Sequence, residues 1–205
     1  MFPIYYTPKT FTDVYFSADF HGFHKNISRG ISQWSDKSRC RDFDDEVQMT
    51  NHLVNTVNAI VPTNATLIFV GDWSFNGQDK ITQLRDMINC RNIIMIVGNH
   101  DKHIINSSVL QKLFTAVLQY NEFRYHKKLF CQFHYPITSW NEIGKGSYMI
   151  HGHCHGSLQG QRGRVLDIGV DVWDYKPLHI DQVCQILDNQ SVVLTDHHSE
   201  VTNYA

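Results

Sequence analysis

The feature that most constrains this chain is a run of five apolar residues, Ile93–Val97, followed without a break by Gly98-Asn99-His100-Asp101. Such a run is typical of a strand that is buried on both faces of a sheet. A strand that ends in this way brings an amide, an imidazole and a carboxylate to the sheet edge, where open α/β sheets bind ligands. A tight turn with a polar surface is the alternative explanation for the same residues.

The same pattern occurs four more times. In each case a short apolar run ends at residue types that bind metal ions or transfer protons, namely Asp19 and His21, Asp72, His134, and His153 and His155. The carboxyl ends of neighbouring parallel strands lie at one edge of a sheet. The sequence therefore predicts that these polar side chains converge on one site.

The first half of the chain alternates strands with helices, which predicts parallel strands joined by right-handed crossovers. The expected strands cover residues 14–18, 66–70 and 93–97. Apolar residues at helical spacing predict helices over 43–61, 81–88 and from about 107 to 118.

Beyond residue 120 the pattern changes to short strands without long helices between them. These strands are expected near 121–126, 129–134, 147–151 and 164–168, followed by a helix over 179–187 and a strand over 191–194. We expect them to form an antiparallel second sheet stacked on the first. The overall expectation is a single α/β domain over residues 1–205, with two stacked mixed β-sheets flanked by helices.

Charge and cysteine content limit the possible partners and location. A net charge of -2 does not indicate stable nucleic-acid binding. The five cysteines form no C-x-x-C pair, which favours reduced thiols over a disulfide framework. Neither a signal peptide nor an apolar stretch long enough to span a membrane is recognisable. We therefore expect a cytoplasmic protein (in the host cytoplasm if phage-encoded) with no membrane partner. The sequence does not determine its oligomeric state.

The strand-end groups predict a metal centre. The set is too large for one ion and suits two ions that share a carboxylate; it comprises Asp19, His21, Asp72, Asn99, His134, His153 and His155. Mixed nitrogen and oxygen donors without thiolate favour two divalent transition-metal ions, drawn from Mn, Fe, Ni, Co or Zn. Paired ions of this kind hydrolyse phosphate esters. A mononuclear zinc hydrolase of another fold would need His-x-x-x-His on a helix, which no predicted helix carries.

The same residues resemble the five sequence blocks of the calcineurin-like metallophosphoesterases. The blocks are Asp19-x-His21, Gly71-Asp72, Gly98-Asn99-His100-Asp101, an isolated His134 and Gly152-His153-x-His155, in the family's order. The resemblance implies the αββα sandwich of that family. It also implies that one ion is held by Asp19, His21, Asp72 and His155, and that the other is held by Asp72, Asn99, His134 and His153.

The resemblance also assigns catalytic roles next to the metal ligands. His100 would face the substrate, where it protonates the leaving oxygen or stabilises charge on the phosphoryl group. Asp101 would accept a hydrogen bond from that imidazole and raise its pKa.

The chain is also similar to the small single-domain phosphoesterases predicted in bacteria and phages. It shares with them His134-Tyr135-Pro136 followed by Trp140, and the segment Gly169-Val170-Asp171-Val172-Trp173. Where that group has His-Phe-Gly-His, this chain has His21-Gly22-Phe23-His24, which leaves the role of His24 open. The role of residues 22–42 is open as well.

The activity that this resemblance implies is hydrolysis of a phosphate ester by a hydroxide that bridges two ions. A phosphodiester of nucleotide or nucleic-acid type is favoured slightly, because aromatic residues near the blocks could stack on nucleobases. Packing in the core or at the rim of the site is the equal alternative for these residues, which are Trp73, Phe75, Tyr135, Trp140, Trp173 and Tyr175. A phosphomonoesterase and a catalytically idle metal-binding interaction scaffold on the same fold are the alternatives.

Overall fold

The computed structural model describes residues 5–9 and 13–194, which contain nine strands and five α-helices. The strands are β1 (Val14–Ser17), β2 (Thr66–Val70), β3 (Asn92–Ile96), β4 (Ala116–Leu118), β5 (Tyr120–Tyr125), β6 (Lys128–Phe133), β7 (Tyr148–His151), β8 (Val165–Asp167) and β9 (Leu178–His179). The helices are α1 (Glu46–Ile60), α2 (Gln78–Met87), α3 (Lys102–Ile105), α4 (Ser108–Gln111) and α5 (Ile180–Asp188).

The strands form two sheets. The first has the order β4-β3-β2-β1-β9, in which β1 to β4 are parallel and β9 runs antiparallel to β1. The second has the order β5-β6-β7-β8. The predicted α/β architecture, with two mixed sheets flanked by helices, is confirmed.

Alternation of side chains along the first strands explains why the sheets stack. Phe16, Ile68 and Ile94 belong to one buried cluster with residues of the second sheet such as Phe130 and Ile150. The alternate residues of the same strands, including Leu67, Phe69, Ile93 and Met95, pack against the apolar faces of α1 and α2. Because successive side chains of a strand point to opposite faces, a strand buried on both faces needs a continuous apolar run.

The helix predicted over 107–118 is wrong. Only α4 is helical there, Val109 is 71% exposed, and residues 116–118 form β4. Ala116, Val117 and Leu118 pair with Ile94, Met95 and Ile96, so this strand covers the edge of β3. Helical spacing of apolar residues is thus overridden by backbone pairing with a neighbouring strand.

The second sheet also differs from its prediction. Only β5 and β6 are antiparallel, whereas β6 pairs with β7, and β7 with β8, in parallel. Residues 191–194, predicted as a last strand, have no regular secondary structure. The strand that closes the first sheet is instead β9, just before α5.

All five cysteines are free. None of the helices within residues 5–9 and 13–194 is long and apolar enough to cross a membrane.

Candidate metal centre

The carboxyl ends of β1, β2, β3, β6 and β7 bring the seven predicted metal-binding side chains together. Two groups form, and in each of them the donor atoms lie within 4.8 Å of one another; they are Asp19, His21 and His155, and Asp72, His134 and His153. We call them the first and the second cluster. Asn99 joins the second cluster, because its Oδ1 lies 3.1 Å from both His134 Nε2 and His153 Nδ1.

Asp72 lies between the two clusters. Its Oδ2 is 3.6 Å from His21 Nε2 in the first cluster and 3.4 Å from His134 Nε2 in the second. One carboxylate oxygen therefore faces both groups, which is the position that a shared ligand requires.

The donor atoms of the first cluster are arranged as a bound cation would require, with two imidazole nitrogens close together beside a buried carboxylate. His21 Nε2 and His155 Nε2 lie only 3.2 Å apart. Burial raises the pKa of the fully buried Asp19 to about 7, and burial lowers the pKa of His21 well below its usual range. A divalent cation would favour the carboxylate and the neutral imidazole, which are the forms that bind metal.

The backbone at the site is strained. Five of the candidate ligands have left-handed backbone angles, although none is glycine; the φ angles are 59° at Asp19, 49° at His21, 61° at Asp72, 71° at His153 and 47° at His155. Each such residue costs of order 1–3 kcal/mol, and this strain typically concentrates at functional sites. The turns after the strands therefore hold these side chains in positions that relaxed turns would not give.

Glycines allow the two sides of the site to approach each other. A Cβ on Gly152 would lie 2.6 Å from Asp19 Oδ2, and a Cβ on Gly71, whose φ is +90°, would overlap the His134 ring. The backbone N–H of His153 donates to the Asp19 carboxylate at 2.9 Å.

Hydrogen bonds outside the clusters orient two of the imidazoles. His134 Nδ1–H donates to the Val70 carbonyl at 2.9 Å, and His155 Nδ1–H donates to Asp171 Oδ2 at 2.6 Å. Both bonds leave Nε2, the nitrogen that faces the site, free to bind a metal. Metal-binding histidines usually have such a partner on their other nitrogen.

His100 lies beside the clusters but contributes no donor atom to either. Its side chain is exposed, and its ring centroid is 5.5 Å from that of His21 and 4.8 Å from that of Phe75. Its backbone N–H donates to Asp72 Oδ1 at 3.0 Å, which ties the turn to the carboxylate that lies between the two clusters. The imidazole is therefore available to a group that approaches from solvent.

The predicted hydrogen bond between Asp101 and the His100 imidazole is wrong. The Asp101 carboxylate is 1% exposed and accepts backbone N–H groups from Gly98 at 2.7 Å, Asp72 at 2.8 Å and Trp73 at 3.0 Å. Because these three donors surround its two oxygens, Asp101 fixes the turn after β2 to the turn after β3. It is a positioning residue rather than a partner of His100.

This role predicts a loss of stability in the Asp101→Asn variant. An amide presents one acceptor oxygen and aims N–H groups at N–H groups, so we expect metal-free protein to lose about 1.5–3 kcal/mol of unfolding free energy. Urea denaturation measures the change. Asp86→Asn on the exposed face of α2 is the matched control, expected within about 0.5 kcal/mol of wild type. Equal stability of the two variants would contradict the role given to Asp101.

The structure adds two residues that sequence analysis missed. Arg41 and Asp171 form a bidentate ion pair, with Nε–Oδ1 at 2.7 Å and Nη2–Oδ2 at 2.8 Å, directly behind His155. Asp171 belongs to a recognised segment, but the sequence offers no sign of its partner. The two residues are 130 positions apart and meet only in the fold.

Two of the six aromatic residues considered as substrate contacts are core residues. Trp73 is 0% and Trp140 7% exposed. Tyr135 is 37% exposed, and its ring lies 4.7 Å from that of His153. His24 Nδ1 accepts the Ile27 N–H and thereby caps the start of a short 3-10 helix, Lys25–Ile27, which gives it a structural role.

A cleft of about 630 Å³ opens directly beside the clusters. His153 and His155 line it together with Trp34 and Arg39. The Trp34 side chain is 45% exposed, and Arg39 is exposed as well. The cleft thus combines an aromatic face with a guanidinium group.

Comparison with known proteins identifies similar folds. No protein-family profile matches the chain. The uncharacterized protein MJ1445 of Methanocaldococcus jannaschii is 26% identical over 190 residues, which cover 89% of this chain and 95% of that protein. The crystal structure of AQ665 from Aquifex aeolicus, a protein of unknown function, matches with a TM-score of 0.63 at 20% identity. The match covers 85% of this chain and 98% of AQ665, so the fold is shared with that protein.

Two further structures show weaker similarity. YfcE, a phosphoesterase from E. coli, has a TM-score of 0.43 at 17% identity, and the match covers 77% of this chain and 78% of YfcE. The Pseudomonas putida nuclease MPE has a TM-score of 0.41 at 15% identity, with 69% and 60% covered.

Proposed function

We propose that this chain is a binuclear metal-dependent phosphoesterase of the calcineurin-like type. The observation that carries the proposal is the pair of clusters that face a common carboxylate oxygen of Asp72. Asp19, His21, Asp72 and His155 would hold one ion; Asp72, Asn99, His134 and His153 would hold the other. When bound, two such ions acidify a water molecule and stabilise the attacking and leaving oxygens of a phosphate ester.

The chain's own residues supply the other requirements. The turns after the strands fix the ligands, and the exposed His100 imidazole, 5.5 Å from the His21 ring, would protonate the departing substituent of the phosphoryl group. Protonation of a departing oxygen by an imidazolium contributes about 10²- to 10⁴-fold in typical enzymes.

The cleft supports a phosphodiester as the substrate. A diester has two substituents, and a cleft bordered by His153 and His155 would receive one of them while the other points towards His100. Trp34 would stack on a planar ring, and Arg39 would attract a second anionic group. This chemistry suits a nucleotide or the end of a nucleic acid.

We also place the protein in the cytoplasm. Five free cysteines, three of them buried, support a reducing compartment.

A hydrolysis screen tests the proposed function. Protein freed of metal with a chelator would be supplied with Mn, Ni, Co, Zn or Mg and then incubated with bis-p-nitrophenyl phosphate or p-nitrophenyl phosphate. We expect no activity without metal, recovery with at least one transition metal, and a higher kcat/KM for the diester. Absence of hydrolysis with every metal, in protein that binds metal, would contradict catalysis. A higher kcat/KM for the monoester would reverse the substrate assignment.

A further inference from the structure

We infer that Arg41 and Asp171 act together as a positioning pair that sets the metal affinity of the first cluster from outside it. The inference rests on the proposed function, because it concerns the site for one of the two ions. Neither residue contributes a donor atom to either cluster.

Arg41 connects three parts of the site. The residue is 3% exposed, and its guanidinium group donates two hydrogen bonds to the Asp171 carboxylate. Its Nη2–H donates to the carbonyl of Asp19 at 2.6 Å and its Nη1–H to the carbonyl of Phe20 at 2.6 Å. The guanidinium therefore holds the strained turn that presents the Asp19 carboxylate.

Asp171 connects Arg41 to His155 in the block Gly152-His153-x-His155. Its Oδ2 accepts both an Arg41 N–H and the His155 Nδ1–H, the latter at 2.6 Å. The carboxylate fixes the orientation of the imidazole and increases its basicity, as carboxylates behind metal-binding histidines generally do. Asp19 and His155, which lie 136 positions apart in the sequence, are thereby joined through the ion pair of the buried Arg41 with the partly exposed Asp171.

The long polar loop after β1 delivers Arg41 to this position. The Arg41 N–H donates to the Ile27 carbonyl at 2.7 Å, and the Arg29 N–H donates to the Arg41 carbonyl at 2.9 Å. A bridge between Ser28 and Arg41 has the pattern of a parallel pair. The segment whose role sequence analysis left open thus has a structural purpose beside the metal centre.

The side chains of the second cluster are oriented by other groups. His134 is oriented by the Val70 carbonyl, and His153 contacts the Asn99 amide. Loss of Asp171 should therefore weaken one site and spare the other. Loss of Asp171 alone also leaves the Arg41 charge buried and unpaired next to a cation site, which adds repulsion.

The experiment measures metal binding to the variants Asp171→Asn and Arg41→Lys by calorimetric titration with Mn²⁺ after a chelator has removed bound metal. Elemental analysis then counts the ions bound per chain. We expect one of the two dissociation constants to rise about 10- to 100-fold and the other to stay unchanged. Arg164→Lys is the matched control, because Arg164 also pairs with an aspartate, Asp188, but lies away from both clusters. It should bind as wild type does.

Combined variants identify the site that is weakened. Adding Asp171→Asn to His21→Asn, which already damages the first cluster, should change the remaining binding little. Adding it to His134→Asn, which damages the second cluster, should raise the remaining dissociation constant by about the same 10- to 100-fold factor. The opposite result would overturn the inference.

The remaining outcomes separate this inference from the proposed function. Wild-type protein that binds no metal would contradict the proposed function itself. Wild-type protein that binds two ions, with Asp171→Asn equal to it or weakened equally at both sites, would overturn only the positioning role. Urea denaturation of the metal-free variants reports their folding, and Arg41→Lys, which keeps the charge, supplies the test if Asp171→Asn does not fold.

Discussion

Asp72→Ala is expected to empty both metal sites with a single substitution. The Asp72 carboxylate faces His21 on one side and His134 on the other, so its removal deprives both clusters of their shared anionic donor. We expect the variant to retain fewer than about one ion per chain where wild type takes up about two, and to lose diester hydrolysis. Elemental analysis after dialysis against saturating Mn²⁺ measures the metal content.

Two further variants make this result specific. Asp79→Ala, an exposed aspartate of α2, should retain both ions. His134→Ala removes a donor from the second cluster only, so it should retain about one ion. Asp72→Ala protein that still binds two ions would show that the clusters do not share this ligand.

The positions of the seven candidate ligands could be predicted from the sequence, because each ligand follows a strand with a recognisable apolar run. The runs before Asp72 and Asn99 are continuous, since β2 and β3 are buried on both faces. Parallel pairing of β1, β2 and β3 then places their ends side by side without any further information. The local pattern and the global fold agree at this edge of the sheet.

The groups that support the ligands could not be predicted in the same way. Asp101 is adjacent to His100 in sequence, which suggested a contact between their side chains, but the fold surrounds Asp101 with the N–H groups of Gly98, Asp72 and Trp73. Arg41 lies in a loop without periodicity, and it meets Asp171 only after both sheets have formed. Such contacts depend on side-chain geometry, which spacing along the chain does not encode.

The pairing of strands was the other source of error. Residues 116–118 have helical apolar spacing but form β4, because the edge of β3 offers backbone groups that an added strand satisfies. The parallel pairing of β6 with β7 likewise depends on the connection through residues 134–147, whose path the sequence does not reveal.

His100→Asn should separate catalysis from metal binding. The imidazole belongs to neither cluster, so both ions should stay bound and the fold should remain intact. On a diester with an alkoxide leaving group, we expect kcat/KM to fall about 10²- to 10⁴-fold, because the departing oxygen then lacks a proton donor. The measurement compares the variant with wild type at equal metal content. His103→Asn, an exposed histidine of α3, is the matched control and should keep wild-type rates.

The leaving group decides whether His100 acts as an acid or only contributes to binding. When the bond between phosphorus and the leaving oxygen breaks, an alkoxide such as a ribose oxygen must take up a proton, which the imidazolium would give. A p-nitrophenolate departs as a stable anion, so bis-p-nitrophenyl phosphate should lose much less activity in His100→Asn than the alkyl diester does. A role confined to phosphoryl binding would lower both rates equally. Wild-type rates of His100→Asn on the alkyl diester would exclude His100 from catalysis and leave the metal clusters as the whole of the active site.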